Sequence, residues 1–376
     1  MRIAIYLYGL TGGGATRRTL ALAAGFAEQG LEVDLLLVAA EGPLANSCPE
    51  DIRPRVLELP RAKFFFRTRR RQLMGAVPGL IRYLQSERPD VLLSAANHAH
   101  LSALWAAKLA KGKVPVVLRV SNHLTESHRR SQENIRLRIA RWCYGWADAA
   151  IGVSEGISQD LRRHIKSLGD RVVTVNNPTF TPEIETLANI PVPEDCAWIF
   201  DQGRPVVLGA GRLTPQKDFP TLIKAFARLR QQLPALLVIL GEGKQRRSLV
   251  QLSKQLGIAE DVVFPGFMHN PYAWMASADL FVLSSAWEGS PGVLIEAMAC
   301  GCPIVSTRCP SGPEEILANG RYGALVPVGD EEALAEAMLS TLTSPPQADL
   351  LKQRAREYSL PAAVAGYLKV FSQFAK

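Results

Sequence analysis

The sequence predicts an α/β protein of two doubly wound domains, each a parallel sheet covered by helices. Three observations lead there. At 376 residues the chain is long for a single hydrophobic core. Short apolar runs alternate with longer amphipathic stretches almost from end to end, which is the punctuation of βαβ units. The alternation breaks once, in a segment rich in proline and polar residues, and then restarts.

Residues 2–8 and 32–39 read as strands, and 15–29 between them as a helix with the apolar stripe Leu20, Ala23, Ala24 and Ala27. Further strands are expected over 90–94, 115–120, 148–153 and 171–175, with helices over 72–86, 98–111 and 132–146. The break runs from Asn177-Pro178 to Pro191-Val192-Pro193 and reads as a linker. Beyond it come strands over 205–210, 235–240, 261–264, 279–283 and 303–306. Helices are expected over 219–231, 244–256, 271–276, 292–300, 312–318 and 330–343, with a last helical stretch after them. The expected parts are a first domain over 1–177, a linker over 178–198, a second domain over 199–355 and a helical segment over 356–376 that can cross back to the first. Ligands of open α/β sheets bind beyond the carboxyl ends of the strands. Two such sheets facing each other would build one central cleft.

The composition, 47% hydrophobic and 21% charged, is that of a globular protein. No apolar run approaches the ~20 residues that span a bilayer. The stretch from Met1 to Tyr8 runs straight into a glycine turn, without the longer apolar core and cleavage site of a signal peptide. It reads as a first strand, and a cytoplasmic protein is expected. The six cysteines form no Cys-x-x-Cys. Cys300, Cys302 and Cys309 have no nearby histidine to complete a zinc site, so idle thiols are expected. Charge divides unevenly. Residues 1–180 hold 26 Lys+Arg against 15 Asp+Glu, a net of +11, and the remainder 17 against 20, a net of −3. The basic first half is expected to meet something anionic.

Three motifs carry chemistry. Gly9-Leu10-Thr11-Gly12-Gly13-Gly14 follows the first strand and opens a helix, where glycine admits a phosphate to the backbone and the helix start favours negative charge. A dinucleotide fingerprint would need glycine at position 17, which is Arg17, and an acidic residue ending the second strand, where only the late Glu41 stands. Alone, the run fits a ligand-free tight turn equally well. Gly241-Glu242-Gly243-Lys244 lacks the spacing and the Ser/Thr of a P-loop. In the second motif, Gly209 to Asp218, Arg212 and Lys217 lie across a proline-containing turn. Both could point at one diphosphate, the arginine as a fork and the lysine as a compact charge, or both could be solvated surface cations. In the third, Trp287 to Glu296, seven residues separate Glu288 in a loop from Glu296 in the helix that follows. Amides from Ser290 to Val293 would be free at that helix start to bind phosphate or sugar oxygens.

Arg212 and Lys217, the Glu288-to-Glu296 spacing and the following Gly301-Cys302-Pro303-Ile304-Val305-Ser306 resemble the donor-site signature of the retaining glycosyltransferases of family four. Those enzymes have the GT-B fold, two Rossmann-like domains facing a central cleft. The resemblance covers nearly the whole chain and is strongest over residues 205–330. The stretch Cys309-Pro310-Ser311-Gly312-Pro313-Glu314-Glu315-Ile316-Leu317 and the Glu-Gly-Ser-Pro loop are similar to one bacterial branch. That branch extends glycans on polyprenyl-diphosphate or other lipid carriers, often from UDP-hexoses or UDP-N-acetylhexosamines.

The resemblance implies that Arg212 and Lys217 hold the donor diphosphate, that Glu296 holds the ribose and that Glu288 contacts the transferred sugar. It places Gly13 and Gly14 on the phosphates from the first domain. Gly211, Ser290, Pro291, Gly292 and Val293 fall at the donor, and Phe264, Gly266 and Phe267 near its base. Many relatives carry a sugar-touching histidine after the fourth strand. Here Asn97, His98, His100 and His123 are the candidates on the acceptor or sugar side, and either His98 or His100, or neither, fills that role. The chain has no Asp-x-Asp, so no metal and no cofactor beyond a UDP-sugar co-substrate is expected.

The run from Arg61 to Arg71 sets Phe64-Phe65-Phe66 among six cations. It suits an anionic membrane surface, with Arg67, Arg69, Arg70 and Arg71 as contacts, or a solvated basic loop over buried phenylalanines. Arg129, Arg130, Arg136, Arg138 and Arg141 add to the basic face. No recognised nucleic-acid module accompanies the run, and no nucleic-acid partner is expected. The expected partners are a nucleotide-sugar donor, a glycan or polyprenyl-linked acceptor and the inner face of the cytoplasmic membrane. The expected activity is transfer of a hexose or N-acetylhexosamine in surface-polysaccharide synthesis. A sugar-nucleotide 2-epimerase of similar build and a non-catalytic nucleotide-sugar binding protein are the alternatives.

Overall fold

A computed structural model describes residues 1–10, 14–39, 42–44, 48, 52, 54–59, 68–111, 114–124, 138–139 and 142–374. The chain divides into two compact units, Met1–Pro178 with Leu360–Lys376, and Thr179–Ser359.

The first unit holds β1 (Arg2–Gly9), β2 (Glu32–Ala39), β3 (Pro54–Val56), β4 (Val91–Ser94), β5 (Val116–Val120), β6 (Ala149–Gly152) and β7 (Val172–Thr174). All pair in parallel, in the order β3-β2-β1-β4-β5-β6-β7. The central strands are apolar on both faces because both faces are covered. Ile3, Ile5, Leu35 and Leu37 enter one core, and Ala4, Tyr6, Leu36 and Val38 enter the other. The helix expected over 72–86 is two helices, Arg69–Gly75 and Val77–Glu87, with Ala76 capping both and Pro78 in the first turn of the second. Helix Glu155–His164, capped by Ser154, was not among the expected elements. Of its apolar side chains only Ile157 and Leu161 are buried, too thin a stripe to show as a period. Most of the helix expected over 132–146 lies outside the described residues.

Helix Leu360–Phe371 belongs to the first unit and packs on helix Gly14–Glu28. Phe26 meets Tyr367 and Phe371 at 6.0 and 5.7 Å between ring centroids. Gly25 permits the approach, since a Cβ there would fall 2.6 Å from Val364 Cγ2.

The second unit holds β8 (Val206–Ala210), β9 (Leu236–Leu240), β10 (Val262–Gly266), β11 (Leu280–Leu283), β12 (Ile304–Thr307) and β13 (Ala324–Val326). Their order is β10-β9-β8-β11-β12-β13, again all parallel. The segment expected as a linker over 178–198 is part of this unit. It forms helices Pro182–Ala188 and Glu194–Ala197, and Ile184 and Val192 enter the unit's core. Pro182 opens the first of these helices and Pro193 caps the second, where a missing N–H costs nothing.

His100 is fully buried at the start of helix His100–Leu109, with Nδ1 2.8 Å from Ser94 Oγ and its ring edge-on to Tyr144. Burial, then the charge of a protonated His98, pushes its pKa down to about 3. The folded pKa lies below the unfolded one, so this stabilisation is complete above about pH 6.5 and is lost as pH falls toward 3. His100→Gln is expected to reduce the fall in melting temperature between pH 6.5 and pH 4, read by calorimetry; an unchanged slope would refute the assignment.

Candidate active site

The second sheet connects outward in both directions from β8 and β11, so the loops after these strands lie side by side at its carboxyl edge. A cavity of about 460 Å³ opens there. Its wall takes Gly211, Arg212 and Lys217 from the turn after β8, and Leu240, Gly241 and Glu242 from the end of β9. Phe267, Met268, Pro271 and Met275 follow β10, and Val293 and Glu296 come from helix Gly292–Ala299.

The turn after β8 is tightly wound. Thr214 N donates to Arg212 O at 2.8 Å and Lys217 N to Thr214 O at 3.0 Å, and Asp218 takes a left-handed φ of 46° before the next helix. A Cβ on Gly211 would fall 2.8 Å from Lys217 Cε, so the glycine lets the lysine chain cross the strand end. Lys217 Nζ stands 2.7 Å from Glu288 Oε1. Glu288 also accepts from Ser285 Oγ at 2.8 Å and from Gln216 Nε2 at 3.5 Å. With the two side chains only 17% and 9% exposed, this pair aims the ammonium. Arg212 is exposed, and among the described residues its guanidinium meets no carboxylate.

The floor is backbone. Gly211 N donates to Leu240 O, Leu213 N to Glu242 O and Gly241 N to Gly266 O, at 2.7–2.9 Å. Gly241 has φ +125°, and a Cβ there would lie 2.0 Å from Gly211 O; one on Gly243 would lie 2.3 Å from Leu213 O. The loop after β11 is tied down by Ser284 Oγ donating to Lys217 O at 2.8 Å and Ala286 N to Gln216 O at 2.9 Å. Helix Gly292–Ala299 buries Leu294, Ile295, Ala297 and Met298, leaving Val293 and Glu296 on the side facing the cavity. Its first amides, at Gly292 and Val293, have no partner within the helix.

Of the residues expected at the donor, Gly211, Arg212, Lys217, Phe267, Val293 and Glu296 line the cavity together. Ser290, Pro291 and Gly292 form the loop and helix start that lead into Val293, and Glu288 reaches the cavity through Lys217 rather than lining it. Phe264 differs from expectation: it packs against the core on one face of the sheet, with Arg246 5.9 Å above its ring. Gly266 is buried at the end of β10, where φ is +94°. Sequence reasoning missed Glu242, Met268, Pro271 and Met275. The glycine pair around Glu242 was the available signal, but only the adjacency of β9 and β8 brings it to Arg212.

In the first unit Gly13 lies outside the described residues, and Gly14 begins helix Gly14–Glu28. Asn97 Oδ1 accepts from Ser121 N at 3.0 Å, tying the loop after β4 to that after β5. His98 Nε2 is 2.6 Å from Arg69 Nη2, and burial followed by the Arg69 charge pushes its pKa down to about 4. His100 is buried without exposure, so of the two histidines only His98 presents a ring at this edge. His123 Nδ1 lies 3.6 Å from Asp160 Oδ1. Arg69 stacks over Tyr8 at 4.5 Å beside His98, and its side chain stays exposed. Arg70 and Arg71 are exposed on helix Arg69–Gly75. Arg67, Phe64-Phe65-Phe66, Arg129, Arg130, Arg136 and Arg141 lie outside the described residues, and Arg138 is exposed.

Fold and cavity define an α/β protein of two parallel-sheet units, with two cations and a helix start converging at the switch point of the second sheet. The family model described as "Glycosyltransferase Family 4" matches residues 12–180, and that described as "Glycosyl transferases group 1" matches residues 197–358. The chain belongs to the family 4 glycosyltransferases, and its α/β architecture is the GT-B fold. It is 29% identical over 245 residues to an uncharacterized glycosyltransferase of Methanocaldococcus jannaschii, covering 63% of this chain and 60% of that one. Over 136 residues it is 40% identical to the N-acetylgalactosamine-N,N'-diacetylbacillosaminyl-diphospho-undecaprenol 4-alpha-N-acetylgalactosaminyltransferase of Campylobacter jejuni, 36% of this chain and 37% of the relative. These matches thus span less than two thirds of the relatives' own lengths. The structure of Anabaena HepE in complex with UDP and glucose superposes with a TM-score of 0.78 at 21% identity, covering 99% of this chain and 100% of that one.

Proposed function

We propose that the protein is a retaining, metal-independent glycosyltransferase that moves a hexose or N-acetylhexosamine from a UDP-sugar to a glycan or lipid-linked acceptor in bacterial surface-polysaccharide synthesis. The observation that carries this reading is the cavity in which Arg212, Lys217 and the start of helix Gly292–Ala299 meet. Such a constellation suits a diphosphate. The undecaprenol-linked acceptor in the name of the Campylobacter relative, and the UDP and glucose bound to HepE, support the choice of substrates.

In this reading the acceptor hydroxyl attacks the anomeric carbon on the face that the diphosphate leaves. The bond from that carbon to the phosphate oxygen breaks, the bond to the acceptor oxygen forms, and the acceptor proton passes to the leaving oxygen. Arg212, Lys217 and the Gly292 and Val293 amides offset the charge that grows on the diphosphate. Glu288 holds Lys217 in place, and Glu296 takes the ribose hydroxyls. A carboxylate pair of the glycosidase kind is not needed. Among the described residues no helix is long and apolar enough to cross a membrane. Work on a lipid-linked acceptor would place the protein on the inner face of the cytoplasmic membrane.

The test is a panel of nucleotide sugars incubated with the protein, with and without a membrane lipid extract. Acceptor-dependent release of UDP supports the reading. Release of UDP with an epimerised free sugar and no acceptor, or binding without turnover, would overturn it in favour of an epimerase or a binding protein. Glu296→Ala is expected to raise KM about tenfold or more with little change in kcat, because a ribose contact is made equally in the ground and transition states. A fall in kcat with unchanged KM would move that role to another residue.

A further inference from the structure

Helix His100–Leu109, with the sequence HLSALWAAKL, is apolar almost all round, which suits a helix with no solvent face. Its inner side is buried, at Ala103, Leu104 and Ala106, yet Leu109 is 52% exposed. One turn before Leu109, on the same face, Trp105 meets two more tryptophans: Trp142 at 6.1 Å and Trp146 at 5.1 Å between centroids. Trp142 and Trp146 are themselves 4.4 Å apart. Trp142 is 61% exposed, and Ile139, three residues before it, is 38% exposed. Three of the chain's six tryptophans thus gather on one surface of the first unit.

Cations border this cluster. Lys108 Nζ lies 3.9 Å above the Trp146 ring, and Lys111 and Arg138 are exposed within a few residues of Leu109 and Trp142. The neighbouring carboxylate, Asp148, is turned to the Val116 amide at 2.8 Å. Tryptophan, with its apolar ring and polar N–H, is favoured at the boundary between lipid and water, and lysine there reaches anionic headgroups. A sugar-stacking platform fits less well. The rings meet at 62–87° rather than presenting parallel faces, Lys108 covers one face of Trp146, and Leu109 and Ile139 are aliphatic.

We propose that the first unit docks on an anionic lipid surface through the patch formed by Trp105, Lys108, Leu109, Trp142 and Trp146. This deepens the membrane location proposed above but does not depend on donor chemistry, because vesicle binding is measured with no nucleotide sugar present. Failure here therefore leaves the glycosyltransferase reading untouched.

The test is sedimentation of the full chain with vesicles of phosphatidylcholine and phosphatidylglycerol, against vesicles of phosphatidylcholine alone. The expected result is tighter binding to the anionic vesicles, weakened by salt, and quenching of tryptophan fluorescence by lipid brominated in the acyl chain. Trp142→Ser and Leu109→Ser, both at exposed positions, are each expected to weaken vesicle binding about tenfold while transfer to a soluble acceptor is unchanged. Lys108→Glu is expected to abolish the preference for anionic lipid. Vesicle binding unaffected by all three substitutions would overturn the proposal. So would fluorescence that responds to a soluble oligosaccharide and not to brominated lipid, or a dimer that Trp142→Ser dissolves in a protein with no affinity for vesicles.

Discussion

Arg212→Ala is expected to lower kcat by about 10²–10³-fold, the effect of removing one fixed donor from a site where charge develops in the transition state. The expectation is clean because Arg212 is exposed and, among the described residues, meets no carboxylate. Its removal strands no partner, and the melting temperature should hold. Lys217→Ala is expected to cost as much in kcat and also to destabilise the second unit. Its ammonium is the counter-charge of Glu288, a carboxylate only 9% exposed, and breaking a buried pair leaves an uncompensated charge. Glu288→Gln separates the two effects. It keeps the lysine charge while weakening its anchor, so kcat should fall by about tenfold rather than a thousandfold. Turnover measured with saturating donor, beside a thermal melt, reads both quantities. An Arg212→Ala enzyme within twofold of the parent would remove the diphosphate from this cavity.

Gly241→Ala is expected to be the most damaging single-methyl change in the second unit. The added Cβ would lie 2.0 Å from Gly211 O, a backbone atom of the turn after β8, and the residue would be held at φ +125°. Strained backbone of this kind costs ~1–3 kcal/mol, and the overlap forces the end of β8 to move as well. A loss of about 3 kcal/mol or more is therefore expected in urea denaturation, with donor binding lost because Gly211 and Arg212 shift with the strand end. Gly257→Ala is the control. Its φ of +70° is also left-handed, but a Cβ there has nothing within 4 Å, so only ~1–2 kcal/mol is expected. Equal losses from the two substitutions would show that backbone conformation alone, and not the close approach to Gly211, matters at position 241.

The parallel strands were legible because both faces of each sheet are covered. Val206–Ala210, Leu236–Leu240 and Leu280–Leu283 are unbroken apolar runs that end in glycine or polar turns. Strand Pro54–Val56 was not legible: its three residues are all exposed, so burial left no mark on its composition. The proline-rich stretch misled for a physical reason. Pro182 and Pro193 mark a loop in a sequence, but each also suits a helix start, and contact with the second unit's core selected the helices.

Arg212, Lys217 and Glu296 were legible as candidates for a single site because they follow strand ends, and strand ends gather where a doubly wound sheet reverses its order. Their residue types and local spacing determine what chemistry they offer. Which of them face the same space depends on contacts between strands far apart in the chain. β9 lies against β8, which brings Glu242 beside Arg212, and Phe264 packs on the core from within β10 whereas Phe267, beyond the strand's end, reaches the cavity. Glu288 and Lys217, 71 residues apart, became a pair only when β8 and β11 became neighbours. Likewise Trp105 and Trp142 are unremarkable in their own segments and become one surface when helix His100–Leu109 folds back over the sheet. Local sequence carries the period of burial and the chemistry of a turn, whereas proximity across the chain is a property of the packed sheet alone.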